Sequence, residues 1–212
     1  MHRINTNLVA RYPDLAGCAG DIASAFDLLC LTYKSGGKLL VCGNGGSAAD
    51  CEHIVGELMK GFRSKRPVSS ELRAQLCAAV PEQGDYLADH LQGALPAISL
   101  VSQSGLMTAF ANDVAPDMIF AQQVHGYGRA GDVVLGISTS GTSRSILHAL
   151  RVARALRLRT IGLTGQDGGA MIELCDVTIR VPYTDTARIQ ERHLPIYHTL
   201  CAMLEETFFP HA

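Results

Sequence analysis

Five short, nearly unbroken apolar runs punctuate the chain: KLLVCGN (38–44), LPAISLV (95–101), DVVLGIST (132–139), RTIGLTG (159–165) and DVTIRVP (176–182). Each has the length of a strand. Continuous rather than alternating apolar residues imply burial on both faces, the condition of a parallel strand with helices above and below it. Between the runs, apolar residues recur at helical spacing over 20–34, 47–61, 117–127, 143–157, 168–174 and 188–208. Such alternation predicts an α/β fold, a doubly wound domain on a five-stranded parallel sheet.

Two segments fall outside this scheme. Residues 1–35 read as helices preceding the sheet, ended by Gly36-Gly37. Residues 64–94 are long for a connection between strands and are expected to form short helices, as an insertion or lid. With 212 residues and no internal repeat, the chain reads as one domain, 1–212.

Composition narrows the function classes. A net charge of −2 gives no footprint for nucleic acid, because a polyanion is bound through clustered cations. The one basic run, Lys60 to Arg66 (KGFRSKR), reads as a solvated helix end. Seven scattered cysteines without a C-x-x-C pair suggest neither a disulfide framework nor a zinc knuckle. The N-terminus lacks the apolar core of a signal peptide, and no run reads as a membrane span, so a soluble cytoplasmic protein is expected.

The chemistry gathers in two loops and two helices. Asn44-Gly45-Gly46-Ser47 and Ser138-Thr139-Ser140-Gly141-Thr142-Ser143 each follow a strand and open a helix. Both suit an anion held by backbone N–H groups, and the second adds hydroxyls; simple helix capping is the plainer reading of its Ser and Thr residues. The first loop lacks the Lys of a P-loop and the spacing of a dinucleotide fingerprint, which favours a small phosphate ester. Behind it, His53 and Glu57 share a helix face at i and i+4. That spacing suits two ligands of one metal, an acid and base on adjacent atoms, or a solvated pair. The last helix adds Gln190, Glu191, His193 and His198. His193 reads as structural, and His198 is open between a core and a chemical role.

At GNGGSAADCEHIVGEL, Asn112-Asp113, STSGTS, LTGQDGG and ARIQERH, the sequence resembles the sugar isomerase (SIS) domain family, and within it the phosphoheptose isomerases. The likeness runs from about residue 20 to 208, with the 64–94 stretch longer than is usual in the family. The resemblance implies sugar-phosphate contacts at Asn44, Gly45, Gly46, Ser47, Asn112, Asp113 and Gln190, with a phosphate loop at Ser138, Thr139, Ser140 and Ser143. It also implies one Zn2+ per subunit on His53, Glu57, Gln190 and His198, Glu57 and His198 as catalytic base and acid, and a homotetramer with sites between subunits. Gln190 and His198 lie eight residues apart, about 12 Å along a helix, whereas two donors on one zinc are at most about 4 Å apart. One of them is therefore expected to reach the site from a neighbouring subunit.

Three functions follow from the resemblance. The first is isomerisation of sedoheptulose 7-phosphate to D-glycero-D-manno-heptose 7-phosphate, feeding ADP-heptose and surface polysaccharide synthesis. A second is a non-catalytic sugar-phosphate-binding module, such as the tetrameric relative that associates with the replication initiator DnaA, whose C-terminus FFPHA resembles. That relative lacks the acid and the His at the positions of Glu57 and His198. A third, an isomerase of a pentose 5-phosphate, ranks lower because such relatives carry additional regulatory domains.

Overall fold

The computed structural model describes residues 3–210; His211 and Ala212 of the FFPHA sequence lie outside it. Five parallel strands form one sheet in the order β2-β1-β3-β4-β5, with β1 Leu39–Gly43, β2 Ala97–Ser99, β3 Val133–Ser138, β4 Arg159–Thr164 and β5 Val177–Arg180. The helices are α1 Arg3–Arg11, α2 Ala19–Lys34, α3 Gly46–Met59, α4 Ser70–Ala79, α5 Gly84–His90, α6 Ser104–Asp113, α7 Ile119–Tyr127, α8 Arg144–Ala155, α9 Met171–Leu174 and α10 Thr186–Phe208.

The continuous apolar runs have a direct physical counterpart. In β1, Leu39 and Val41 enter a core with α2, α3 and α10, while Leu40 and Cys42 enter a second core with α7 and α8. Successive side chains of a strand point to opposite faces, so burial on both faces requires every position to be apolar. All five β1 residues are buried, as are all six of β3.

Several boundaries differ from the sequence reading. The second strand has three residues, and the helix expected over 168–174 shrinks to Met171–Leu174. Helix α6 was not expected from the sequence; its apolar residues Met107, Phe110 and Ala111 are only partly buried. Pro195 lies inside the last helix without ending it, α10 running through it from 186 to 208. Packing of Ile189, Ile196, Tyr197, Leu200 and Leu204 outweighs the one backbone donor that proline removes.

The 64–94 stretch forms α4 and α5, a hairpin joined by Arg73 to Asp85 and Asp89. No residue of α4 is buried, and both ends of the excursion are pinned by the Pro67 and Gln92 bridge. Residues Pro13–Lys34 are, against the expectation above, long and apolar enough by length and composition to cross a membrane. Their apolar stripe, Leu15, Cys18, Ile22, Ala25 and Leu29, is instead part of the core. All seven cysteines are free, and burial pushes the thiols of Cys42, Cys175 and Cys201 up to about 12.

The lower edge of the sheet is tied by Asp132, which is 2% exposed. Its carboxylate accepts from the Lys38 N–H at 2.9 Å, the Lys38 ammonium at 2.6 Å and the Arg129 N–H at 2.7 Å, joining the starts of β1 and β3. Asp132→Ala would leave two backbone donors unpaired. It is expected to lower stability by about 3 kcal/mol, seen as a lower urea midpoint with an unchanged slope.

Candidate functional site

Strand order reverses between β1 and β3, since α3 leaves β1 on one face of the sheet and α8 leaves β3 on the other. In open α/β sheets the crevice at such a point, beyond the carboxyl ends of the strands, is where ligands bind. Both loops singled out from the sequence open here. Gly45 takes φ +57°, a conformation that a side chain would strain, and a Cβ on Gly46 would stand 2.7 Å from the Gln190 amide nitrogen. The first loop therefore lies directly against Gln190.

The second loop is turned by Gly141 at φ +65°, whose N–H donates to the Ser138 carbonyl at 3.1 Å. The capping reading of this loop does not hold. Ser143, at the N-cap of α8, makes no side-chain cap; its hydroxyl accepts from the Asn44 amide at 2.9 Å, and the same amide donates to Ser145 at 3.0 Å. Asn44 thus ties the two loops together, and α8 presents its first N–H groups and positive end to the crevice. Ser140 accepts from Thr142 N–H and hydroxyl at 3.3 and 2.9 Å, while Thr139 accepts from Gly165 N–H. Ser47 and Ser138 are buried at the loop bases.

One turn into α3, the titratable groups converge. His53 Nε2 lies 3.2 Å from Glu57 Oε1 and 3.3 Å from His198 Nε2, which arrives from α10. The Tyr197 hydroxyl donates to Asp50 Oδ1 at 3.2 Å and faces His53 Nδ1 at 3.0 Å. With its proton donated to Asp50, Tyr197 accepts from Nδ1–H, and His53 turns Nε2 toward Glu57 and His198. Burial pushes the His198 imidazole below its ordinary value, and the neighbouring His53 adds to this while Glu57 opposes it. Burial raises the Asp50 carboxyl, opposed by the Tyr197 hydrogen bond and by His53.

These are donor types that zinc takes, two imidazole nitrogens and a carboxylate oxygen, with His53 3.2 Å from Glu57 and 3.3 Å from His198, close to the roughly 3.3 Å between tetrahedral ligands about 2 Å from zinc. Glu57 Oε2 is buried without a hydrogen-bond partner, Lys60 Nζ standing off at 3.6 Å. The contacts form a chain through His53, and no group of three His, Cys, Asp or Glu placed to hold a metal ion is found among the described residues. Gln190 lies two turns away on α10, against Gly46. Asn112 and Asp113 sit exposed at the end of α6, hydrogen-bonded to each other at 2.8 Å and to neither loop among the described residues.

Sequence reasoning missed Asp50, Ser145 and Tyr197. Asp50 precedes His53 by three residues, a spacing that shares its face, and Tyr197 adjoins His198. Their meeting depends on how α3 and α10 cross. A groove of about 710 Å³ along α1 and α10 also reaches His198, lined by Leu8, Tyr12, Phe62, Arg63 and Pro195, but it includes no residue of either loop.

His193, fully buried, has neither ring nitrogen in a well-formed hydrogen bond among the described residues, and burial lowers its imidazole to about 4 against a weaker opposing contact with the Thr164 backbone. The unfolded chain, with an ordinary imidazole, takes up this proton first as pH falls. The stability contribution is therefore complete above pH 6.5 and is lost progressively toward pH 4, amounting to about 3 kcal/mol. Urea unfolding across that window checks this, and His193→Phe should remove this part of the slope.

Comparison with known proteins accords with this geometry. The SIS domain model matches residues 102–205, and a second SIS domain model matches residues 15–85. The phosphoheptose isomerase of Geotalea daltonii is 43% identical over 188 residues, covering 89% of this chain and 84% of that one. Phosphoheptose isomerase 1 of Campylobacter jejuni is 40% identical over 189 residues, with 89% and 88% covered. Among solved structures, a phosphoheptose isomerase from Francisella tularensis superposes with a TM-score of 0.74 at 31% identity, over 96% of this chain and 97% of that chain.

Proposed function

The chain belongs to the phosphoheptose isomerases of the SIS domain family, and we propose that it interconverts sedoheptulose 7-phosphate and D-glycero-D-manno-heptose 7-phosphate. The observation that carries this reading is the convergence of Glu57, His53 and His198 in the helices behind a two-loop anion site at the sheet's switch point.

The reaction moves a proton between C1 and C2 of the sugar through an enediol, so one group must take a carbon-bound proton while another serves the oxygens. Glu57 is the base, and His198, kept neutral near pH 7 by its burial, exchanges the oxygen-bound proton. The Ser138–Ser143 loop and the α8 N-terminus hold the phosphate, and Asn44, Gly46 and Gln190 line the path between phosphate and reacting carbons. Asn112 and Asp113 are assigned to the substrate by family resemblance alone.

His53, Glu57 and His198 would hold one Zn2+, with Gln190 as the fourth ligand that the family implies. When bound, the ion would polarise the sugar carbonyl and stabilise negative charge on the enediol oxygens. The two oxygens of Glu57 allow its roles to be divided: Oε1 stands with His53, and Oε2 has no hydrogen bond, with the Lys60 ammonium 3.6 Å away. A homotetramer supplying a further ligand or wall from a neighbouring subunit is part of this reading. The groove beside His198 and the exposed Leu194 and Leu31 support it. Seven free cysteines agree with work in a reducing cytoplasm, and the product would enter ADP-heptose and surface polysaccharide synthesis.

Incubating the protein with sedoheptulose 7-phosphate and following it by NMR should reveal aldoheptose signals. Silence from the folded protein would overturn the assignment in favour of a binding module. Glu57→Gln should lower kcat about 10³-fold without unfolding the chain, and Ser140→Ala should chiefly raise KM. Metal analysis of the purified protein should find about one zinc per subunit, with chelation abolishing turnover, zinc restoring it, and His53→Ala losing the metal. A metal-free preparation with full activity would refute the zinc.

A further inference from the structure

The basic run at 60–66, read from sequence as a solvated helix end, finishes in Arg66, the largest fully buried side chain among the described residues. The chemistry above makes no use of it. We propose that Arg66, held by Glu205, is a positioning residue for the isomerisation: it caps the C-terminus of α3 and so sets Glu57 against His198. This rests on the isomerase reading.

Helix α3 ends at Met59 with Lys60 fully extended, and Gly61 after it does not take the left-handed turn that would cap the last carbonyls. Such carbonyls need partners from elsewhere. Arg66 supplies them, its Nη2 donating to the carbonyl of Glu57 at 3.0 Å and its Nη1 to that of Leu58 at 2.7 Å, a carbonyl that also accepts from the Leu95 N–H at 3.0 Å. Its Nε donates to Glu205 Oε1 at 2.8 Å. A planar guanidinium can serve three acceptors in fixed directions, which an ammonium cannot.

Glu205 completes the device from α10, two turns beyond His198. Its carboxylate also accepts from the N–H groups of Phe62 and Arg63, both at 2.8 Å, so the chain leaving α3 folds back around it. That fold sets the Phe62 ring 5.2 Å from the His198 imidazole, centre to centre. The Phe209 ring covers the guanidinium at 4.8 Å. One ion pair thereby fixes the backbone of Glu57, the packing on His198 and the spacing of the two helices that carry them. Neither loop of the anion site touches it among the described residues.

The test uses two conservative variants, Arg66→Lys and Glu205→Gln, each checked for folding by circular dichroism and thermal unfolding. Expected are folded proteins in which kcat for sedoheptulose 7-phosphate falls about 10- to 100-fold while KM stays within about twofold, because the phosphate loops are untouched. The ring-proton NMR resonances of His198 should shift as Phe62 moves. Wild-type kcat in either folded variant, a rise in KM without a fall in kcat, or loss of folding in both variants would overturn the proposal. An inactive wild type would instead sink the isomerase reading, and the His198 resonance, which needs no turnover, would then decide the positioning role alone.

Discussion

Everything in the site depends on one topological constraint, the reversal of strand order between β1 and β3. A parallel strand must return its chain over one face of the sheet, and here α3 packs Cys51, Ile54 and Leu58 on one face while α8 packs Ile146, Leu147 and Leu150 on the other. The two chains part as they leave adjacent strands, so their first N–H groups line a common crevice instead of closing on each other. Glycine at 45, 46 and 141 lets backbone approach where side chains would collide or strain. Asn44 then spans the gap, and its two hydrogen bonds to Ser143 and Ser145 make one site of two loops.

Chemistry is added to this frame by a second contact, that of α3 with α10 over the same face of the sheet. Ile54 and Leu58 share a core with Ile196, Tyr197, Leu200 and Leu204. The polar residues interleaved with these apolar ones, Asp50, His53 and Glu57 on one helix and Gln190 and His198 on the other, meet along the seam. Apolar burial fixes the crossing, and the crossing brings the titratable groups together. The Arg66–Glu205 pair locks the far end of this seam. Breaking a buried pair by removing one partner costs about 3 to 5 kcal/mol, so this end is firm as well.

The fold was largely legible because it is written in local signals. Unbroken apolar runs marked the five strands, and Gly-rich or Ser-rich exits marked the loops. Helix α6 was not legible, since its apolar stripe is short, Met107, Phe110 and Ala111, and only partly buried. The phosphate loop and the His53–Glu57 pair were readable from spacing within single elements. The Tyr197 link between Asp50 and His53 was not, because it joins residues 144 and 147 positions apart. Arg66 was misread for the same reason: a basic run signals solvent unless a carboxylate far along the chain, 139 residues away here, waits to receive it. The separation of Gln190 from His198 was readable from helical rise alone, and α10 holds the two residues two turns apart.

The two histidines of α10 show how placement divides structure from chemistry. His193 and His198 are five residues apart on one helix, and burial lowers the proton affinity of both. His193 is sealed in the interior, so protonation opposes folding. His198 is partly open, borders the groove and faces His53 and Glu57, so the same lowered affinity leaves a lone pair available near neutral pH beside a carboxylate that favours its return to the cation. A neutral imidazole facing a carboxylate and open to the groove can take a proton from an oxygen and return it. Access of this kind is what an acid that must later serve as a base requires, and α10 supplies it at His198 while withholding it from His193.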